Sequence, residues 1–398
     1  MWEYLIFGLL TISLFFWIIY MIRTLKNCKL LPAIKKVKKI KNPPLVSVII
    51  PTRNESKRIT PCITSLTNQN YSNMEVIVVD DSTDNTKEII TQLTKNDPRF
   101  RIINEKKIKG GWVGKPHALQ QGSKIAKGKW ILFIDADTSF DPDIITSTIN
   151  HAKKKKLDML SILSHLVCKT FWEKIIQPIP TGLLIFITPL GKVNDPNSKQ
   201  SFALGPFILI KHSIFDKIGG YESIKKRIAD DVELAKLLKK SGFHIGLARA
   251  YHMMNLRMYE SFKDIWQGWS KNIFMGLVQK REIQKKASQL LVLLVGLFVV
   301  FIMIVFPFLS FFISILITTI MSTSPVSTIV LFSLFIWIFS LIIQISVHRK
   351  YSIGNPWYSP LFFIGGIVTM LIFMNSAIKT FSGSGVKWKD RTYVHHPS

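Results

Sequence analysis

The sequence is poor in cysteine and in acid. Its three cysteines, Cys28, Cys62 and Cys168, lie far apart in no CxxC or CxH pattern, which indicates neither a zinc site nor a disulfide framework. Asp and Glu number 25 against 52 Lys and Arg, a formal charge of +27. Such an excess suits nucleic acid, anionic lipid or an anionic small substrate. No RNA- or DNA-binding signature is present, and 48% hydrophobic residues with 27 Phe and 10 Trp argue against a simple nucleic-acid binder. No nucleic-acid partner is therefore expected. The strand-end loops hold no GxGxxG, which argues against a dinucleotide site. Gly114-Lys115 fails as a P-loop: Lys109 stands where a glycine is required and Pro116 where Ser or Thr is required.

Charge of either sign is missing from several long stretches. Tyr4 to Ile22 is a run of 19 uncharged residues rich in Phe, Ile and Leu, long enough to span a bilayer. Glu3 precedes it in place of a basic n-region, and no small-residue cleavage site follows, so a retained anchor is expected over a signal peptide. Arg23 to Lys41 then carries eight Lys/Arg and no acid. By the positive-inside rule this side is cytoplasmic. The run reads as a solvated linker, a contact to anionic headgroups, or both. Ala287 to Val347 holds no Asp, Glu, Lys or Arg in 61 residues, enough for two or three crossings. Ser322 to Pro325 breaks it once, and Pro307 is either a kink or a second break. A last apolar span covers about Leu361 to Ile378, before a tail with Lys387, Lys389 and Arg391. Three or four spans are thus expected. The chain divides into an N-terminal anchor (1–22), a basic juxtamembrane linker (23–44), a cytoplasmic catalytic domain (45–286), C-terminal transmembrane helices (287–381) and a basic tail (382–398).

Between the apolar ends, strands alternate with helices. Leu45 to Ile50, Glu75 to Val79, Arg101 to Ile103 and Trp130 to Ile134 predict strands. Helices are expected from near Ser56, over about Thr86 to Leu93 and over about Ala118 to Lys127. That alternation implies a mostly parallel α/β sheet with flanking helices. Gly205 to Ile210 predicts a further strand, Ile214 to Gly219 a short helix, and Val232 to Lys240 a helix opened by Asp230-Asp231. Asp231 has an ordinary reading there as a helix cap. Phe171 to Leu190 is apolar but broken by Pro178, Pro180, Gly182 and Pro189. It reads as an interfacial or re-entrant segment, or as part of the domain core.

The chain is organised around Gly110 to Asp137: a glycine-rich loop, a helix and the apolar strand Trp130–Ile134, which leads into Asp135-Ala136-Asp137. Alternation along a strand would aim both carboxylates the same way from the carboxyl end of a central strand, where open α/β sheets bind ligands. Paired hard oxygens there suit Mg²⁺ or Mn²⁺ bridged to a diphosphate. The alternative is that the acids cap the next turn.

Taken together, VSVIIPTRNE, VIVVDDSTDNT, GKPHALQQG, WILFIDADT, the Gly205-Pro206 strand, GGYE and ADDVELAKLLKKSG, in this order, resemble the inverting family 2 glycosyltransferases of GT-A fold over about residues 45 to 275. Arg257-Met258-Tyr259-Glu260-Ser261, Gly268-Trp269-Ser270-Lys271-Asn272 and Val386 to Tyr393 are similar to the membrane branch with ceramide glucosyltransferases and carotenoid-acid glycosyltransferases. Gln267 to Lys271 keeps Gln and Trp but departs from the (Q/R)xxRW register of ceramide and processive enzymes.

The resemblance implies a GT-A domain with transmembrane helices at both ends, a multi-pass cell-membrane protein with a nucleotide-sugar donor of UDP-glucose type and a lipid acceptor. It places Pro51, Glu55, Asp80, Asp81, Lys115, Asp135 and Gly205 at the nucleotide sugar. Asp80 and Asp81 would accept hydrogen bonds from base and ribose, or else cap the Thr86 helix. Asp137 with Asp135 would hold Mn²⁺ or Mg²⁺. Asp231, with Asp230 beside it, would be the general base. Gln267, Trp269 and Lys271 would close over acceptor and phosphates, or anchor the helix at an interface. A polyprenyl-phosphate transferase and a non-catalytic subunit of a polysaccharide complex are the alternatives.

Overall fold

The computed structural model describes residues 2–108, 110–227, 229–280, 285–321, 324–382, 386–388 and 391–393. The chain folds as two compact units, Lys29–Val167 with Pro189–Met258, and Met1–Cys28 with Cys168–Thr188 and Tyr259–Ser398. Elements are numbered in chain order.

The first unit is built on β1 (Val46–Thr52), β2 (Met74–Asp80), β3 (Phe100–Asn104), β4 (Trp130–Ile134), β6 (Met159–Leu163), β8 (Phe207–Lys211) and β9 (Ile245–Arg249). They form one sheet in the order β3-β2-β1-β4-β8-β6-β9. β1 is parallel to β2 and β4, β2 to β3, and β6 to β9; β8 alone runs antiparallel to its neighbours β4 and β6. β4 and β6 are buried along their whole length, because a sheet covered on both faces admits apolar side chains on both. α2 (Ile59–Thr67), α3 (Thr86–Thr94), α4 (Gly114–Ile125), α5 (Ile144–Lys154), α8 (His212–Lys217) and α9 (Asp230–Lys240) complete the layers. A small sheet joins β5 (Thr138–Phe140), β10 (Met254–Leu256) and β7 (His165–Leu166).

The order of the strands locates a site. The chain steps outward from β1 through β2 to β3, then returns to the other side of β1 with β4. A crevice therefore opens between the carboxyl ends of β1 and β4, the switch point at which open α/β sheets take ligands. The loops after β1, β2 and β4 all end there.

Several local expectations shift. α4 starts at Gly114, four residues before the expected start, and takes in Pro116, because a proline in a first turn gives up an N–H that has no helical partner there. α2 starts at Ile59 rather than near Ser56. The basic segment is not a free linker. Its first part extends α1 (Trp2–Leu30); beyond it the Ile34 amide donates to the Arg249 carbonyl at 2.8 Å and Lys36 pairs with Asp141 at 2.8 Å.

The second unit gathers α1, α6 (Phe171–Ile176), α7 (Pro178–Ile187), α10 (Phe262–Lys280), α11 (Lys286–Val300), α12 (Phe306–Met321), α13 (Ser324–Tyr351) and α14 (Phe362–Phe381). Residues 171–187, broken by prolines, thus form two short helices of this unit rather than part of the sheet domain's core. Among the described residues, four helices are long and apolar enough to cross a membrane: Glu3–Leu30, Lys286–Ile320, Thr328–Tyr351 and Pro356–Phe381. Pro307 makes no break. The helix passes it through a π-helical turn at Phe301–Val305, so among the described residues three such apolar helices lie from Lys286 onward, not four. Ser322, Thr323 and Lys389, invoked above in the break and the tail, lie outside the described residues; Val386–Trp388 and Arg391–Tyr393 pair as an antiparallel ribbon. α14 lies against α6 through Gly365, where a Cβ would stand 1.9 Å from the Ile175 carbonyl oxygen.

Candidate active site

β4 ends at Ile134, so Asp135 and Asp137 lie in the turn after it and the alternation of a strand does not aim them. A partner aims Asp135 instead: its Oδ1 lies 2.6 Å from Lys115 Nζ, in the first turn of α4. Lys115 is therefore not a free surface lysine. The Asp135 backbone carbonyl accepts the Thr138 hydroxyl at 2.7 Å, which shapes the turn without the side-chain carboxylate. The Asp137 carbonyl accepts the Arg257 amide at 3.1 Å, and its Oδ1 is buried.

Asp231 is not the cap of α9. Ala229 holds that place and makes no side-chain cap bond. The Asp231 carboxylate accepts the Gly205 amide at 2.7 Å through Oδ2 and its neighbour Val232's amide at 2.8 Å through Oδ1. Gly205 stands where the charges converge. A Cβ there would lie 2.8 Å from Lys115 Nζ, 3.3 Å from Asp231 Oδ2 and 3.8 Å from Asp135 Oδ2. Only a hydrogen leaves that space open. Asp230 is buried beside it, at the start of the same helix.

Burial raises the Asp231 carboxyl above the ordinary carboxylate range; the Lys115 charge and the two amides oppose that rise without cancelling it, and Asp135 adds to it. Burial works against the Lys115 ammonium, but the charges of Asp135, Asp230 and Asp231 outweigh it and raise its pKa, so it stays protonated. The cluster thus sets a fixed cation beside a carboxylate of raised basicity.

The residues after β1 and β2 divide into holders and a presented group. Asp80 is buried, its Oδ1 accepting the hydroxyls of Thr52 and Ser82, each at 2.7 Å. Asp81 is half-buried and paired with the Arg53 guanidinium. Neither caps α3. Its N-cap, Asn85, makes no side-chain cap bond; Asp84, two residues before the helix's first residue, accepts the Thr86 amide at 3.1 Å in an Asx turn. Pro51 lies on β1 opposite Val79. Glu55 is buried, 3.3 Å from Arg58 Nε, and its amide donates to the Thr86 hydroxyl at 2.8 Å.

Gln267, Trp269 and Lys271 lie on α10, in the other compact unit. Trp269 is buried edge-on to Tyr259 at 6.1 Å, so it does not serve as a surface anchor.

Two residues had no role assigned from sequence. Arg53 follows β1 in the string TRNE, and its pairing with Asp81 depends on β1 and β2 being in register, Thr52 opposite Asp80. Tyr221, in GGYE, is fully buried, edge-on to Phe133 at 5.2 Å and Phe215 at 5.5 Å. Among the described residues its hydroxyl has no hydrogen-bond partner. Burial, together with the charges of Asp230, Asp231 and Asp135, raises its pKa far above the usual phenol range. The only signal in the sequence was the string itself.

Residues 47–219 match the family model described as Glycosyl transferase family 2. The 4,4'-diaponeurosporenoate glycosyltransferase of Staphylococcus aureus strain USA300 is 26% identical over 234 residues, which cover 58% of this chain and 61% of that protein. The protein of that name from strain MRSA252 matches at the same 26% and the same coverage. The chain therefore spans about 61% of the length of these curated relatives. Among solved structures, the mannosyltransferase PcManGT from Pyrobaculum calidifontis, in complex with GDP-Man and Mn²⁺, aligns over 96% of this chain and 99% of its own, with a TM-score of 0.55 and 14% identity. That likeness is one of fold. Residues 47–219 thus carry the family 2 glycosyl transferase match, on a fold shared with that mannosyltransferase.

Proposed function

We propose that this chain, built around a family 2 glycosyltransferase domain, is a multi-pass membrane enzyme that inverts the anomeric centre as it moves a hexose from a nucleotide sugar, UDP-linked in the first instance, to a lipid acceptor. Its catalytic domain faces the cytoplasm, as the basic run after the first apolar helix favours.

The observation that carries the reading is the cluster beside β4: Lys115 on Asp135 at 2.6 Å and Asp231 on the Gly205 amide at 2.7 Å. The acceptor hydroxyl attacks the anomeric carbon. A carbon–oxygen bond forms on one face as the bond to the diphosphate oxygen breaks on the other. The hydroxyl proton passes to Asp231, whose raised pKa suits it to that task. Lys115 meets the negative charge that gathers on the leaving diphosphate. Asp81 and Arg53, after β2 and β1, bind the nucleoside end.

Among the described residues no group of three or more His, Cys, Asp or Glu gathers as a metal cage. Asp135 and Asp137, two hard carboxylates, would hold Mg²⁺ or Mn²⁺, ions that favour such oxygen ligands. The residues fit the ion on those terms. When bound, it neutralises charge on the diphosphate. The neighbour solved with GDP-Man and Mn²⁺ supports both a nucleotide-sugar donor and a divalent ion.

The test uses the full-length protein in lipid nanodiscs carrying a host lipid extract, with radiolabelled UDP-glucose, UDP-galactose, UDP-N-acetylglucosamine or GDP-mannose. Label is counted in the organic phase with Mn²⁺ and with EDTA. Metal-dependent transfer from one donor is the expected result. Failure to bind any of the four nucleotide sugars would refute the proposal.

A further inference from the structure

The second unit carries an exposed aromatic surface assembled from three separate parts of the chain. Phe171 and Trp172, the first two residues of α6, meet edge-on at 5.2 Å. Trp172 meets Phe262, which opens α10, at 5.0 Å, and Phe262 meets Trp266 one turn later at 6.0 Å. Phe171 also meets Tyr358, in the turn before α14, at 6.5 Å. Trp357 stands next to it, 84% exposed. Phe171, Trp172 and Phe262 stay 47%, 39% and 38% exposed despite these contacts. A contiguous apolar patch of this kind marks an interaction site.

The patch is mounted rigidly. Thr170 and the buried Glu173 form a capping box at the start of α6, and the Thr170 hydroxyl donates to the Glu260 carbonyl at 3.3 Å. Gln177 Nε2 donates to the Tyr259 carbonyl at 3.2 Å, so the entry to α10 is tied to the end of α6. A surface held this way is not the fraying end of two helices.

Its level is fixed by the helices around it. The Tyr351 hydroxyl, at the end of α13, donates to the Thr24 carbonyl of α1 at 2.7 Å. Arg23 and Lys26 on α1 and Arg349 and Lys350 on α13 therefore lie at one level. Basic side chains at the adjoining ends of two apolar helices mark where those helices leave a bilayer. The turn bearing Trp357 and Tyr358 starts from that level. Lys174 lies over the Tyr358 ring at 4.7 Å, which adds a cation to the aromatic set. Trp, Tyr and Lys together belong at the headgroup boundary, where one end of each side chain is wet and the other apolar.

We propose that Phe171, Trp172, Phe262, Trp266, Trp357 and Tyr358 form a docking surface for the headgroup boundary of the bilayer. It seats α6, the start of α10 and the turn before α14 among lipid at the basic ends of α1 and α13. The inference rests on the membrane embedding proposed above, and not on the transfer reaction.

Trp fluorescence of the full-length protein in nanodiscs tests it, using phosphatidylcholine brominated near the glycerol end or near the methyl end of its acyl chains. Wild-type emission should be quenched by both lipids. Trp357→Phe and Trp172→Phe should each lose part of the quenching by the shallow bromines and none of the quenching by the deep ones. Unchanged shallow quenching in both variants would refute the surface, as it would if a second copy or another protein covered the patch. A larger loss with the deep bromines would refute its level. The assay requires no glycosyl transfer, so absence of transfer with normal quenching would fault the enzymatic reading alone.

Discussion

The indole of Trp17 donates to the Met303 carbonyl at 2.7 Å, and Met303 stands four residues before Pro307. Proline has no N–H to return to that carbonyl. The π-helical turn at Phe301–Val305 and the donor from α1 together carry the helix past the point where it would otherwise break. Trp17→Phe keeps the ring and removes the donor. It should lower stability by about 1 kcal/mol. In a Pro307→Ala background the cost should shrink, since the alanine amide can take the carbonyl. A double-mutant cycle by thermal unfolding in detergent measures the coupling; additive effects would contradict the assignment.

Asp231→Asn should abolish transfer while the protein folds normally, because the amide oxygen can still accept from the Gly205 or Val232 N–H. The wild-type pH profile carries the same expectation. The base works when deprotonated, so activity is present above its pKa and lost as pH falls through it. Burial raises that pKa, so the acid limb of kcat/KM should sit above the ordinary Asp value of about 3.9. A carboxylate acceptor would arrive ionised and need no base. Near wild-type turnover by Asp231→Asn would thus remove the base assignment.

Gly205→Ala places a methyl group 2.8 Å from Lys115 Nζ. The lysine can swing aside, so the fold should tolerate the change, but only by loosening its pairing with Asp135. We expect unfolding within about 1 kcal/mol of wild type, as for substitutions that strain one flexible side chain, and a clear loss of nucleotide-sugar affinity by calorimetry. Wild-type affinity would show that the cluster does not bind the donor.

Tyr221→Phe should do the reverse of most core substitutions. A buried hydroxyl without a partner costs roughly 1–3 kcal/mol, and removing it while keeping the ring against Phe133 and Phe215 should raise the unfolding temperature. A lowered unfolding temperature would mean that the hydroxyl is bonded.

Much of this protein is determined by short-range pattern. Continuous apolar runs such as Trp130–Ile134 have only one use in a chain of this kind, a strand covered on both faces, and the structure has it at those residues. The uncharged run from Ala287 to Val347 likewise forms apolar helices, and the ordered strings around Asp80, Asp135 and Asp231 signalled a GT-A domain before any contact was known. Periodicity reports burial and local conformation because both repeat along the chain. It does not report which distant groups meet. Asp231 looked like a helix cap because acids before a helix usually are; its hold on Gly205 crosses 26 residues and exists only because α9 and β8 are folded together. The strand rule pointed Asp135 and Asp137 the same way, but the strand ends at Ile134 and Lys115 aims Asp135 instead. By sequence alone, Pro307 fits either a kink or a break. A donor 286 residues away decided it, since whether an orphaned carbonyl ends a helix depends on what stands beside it in space.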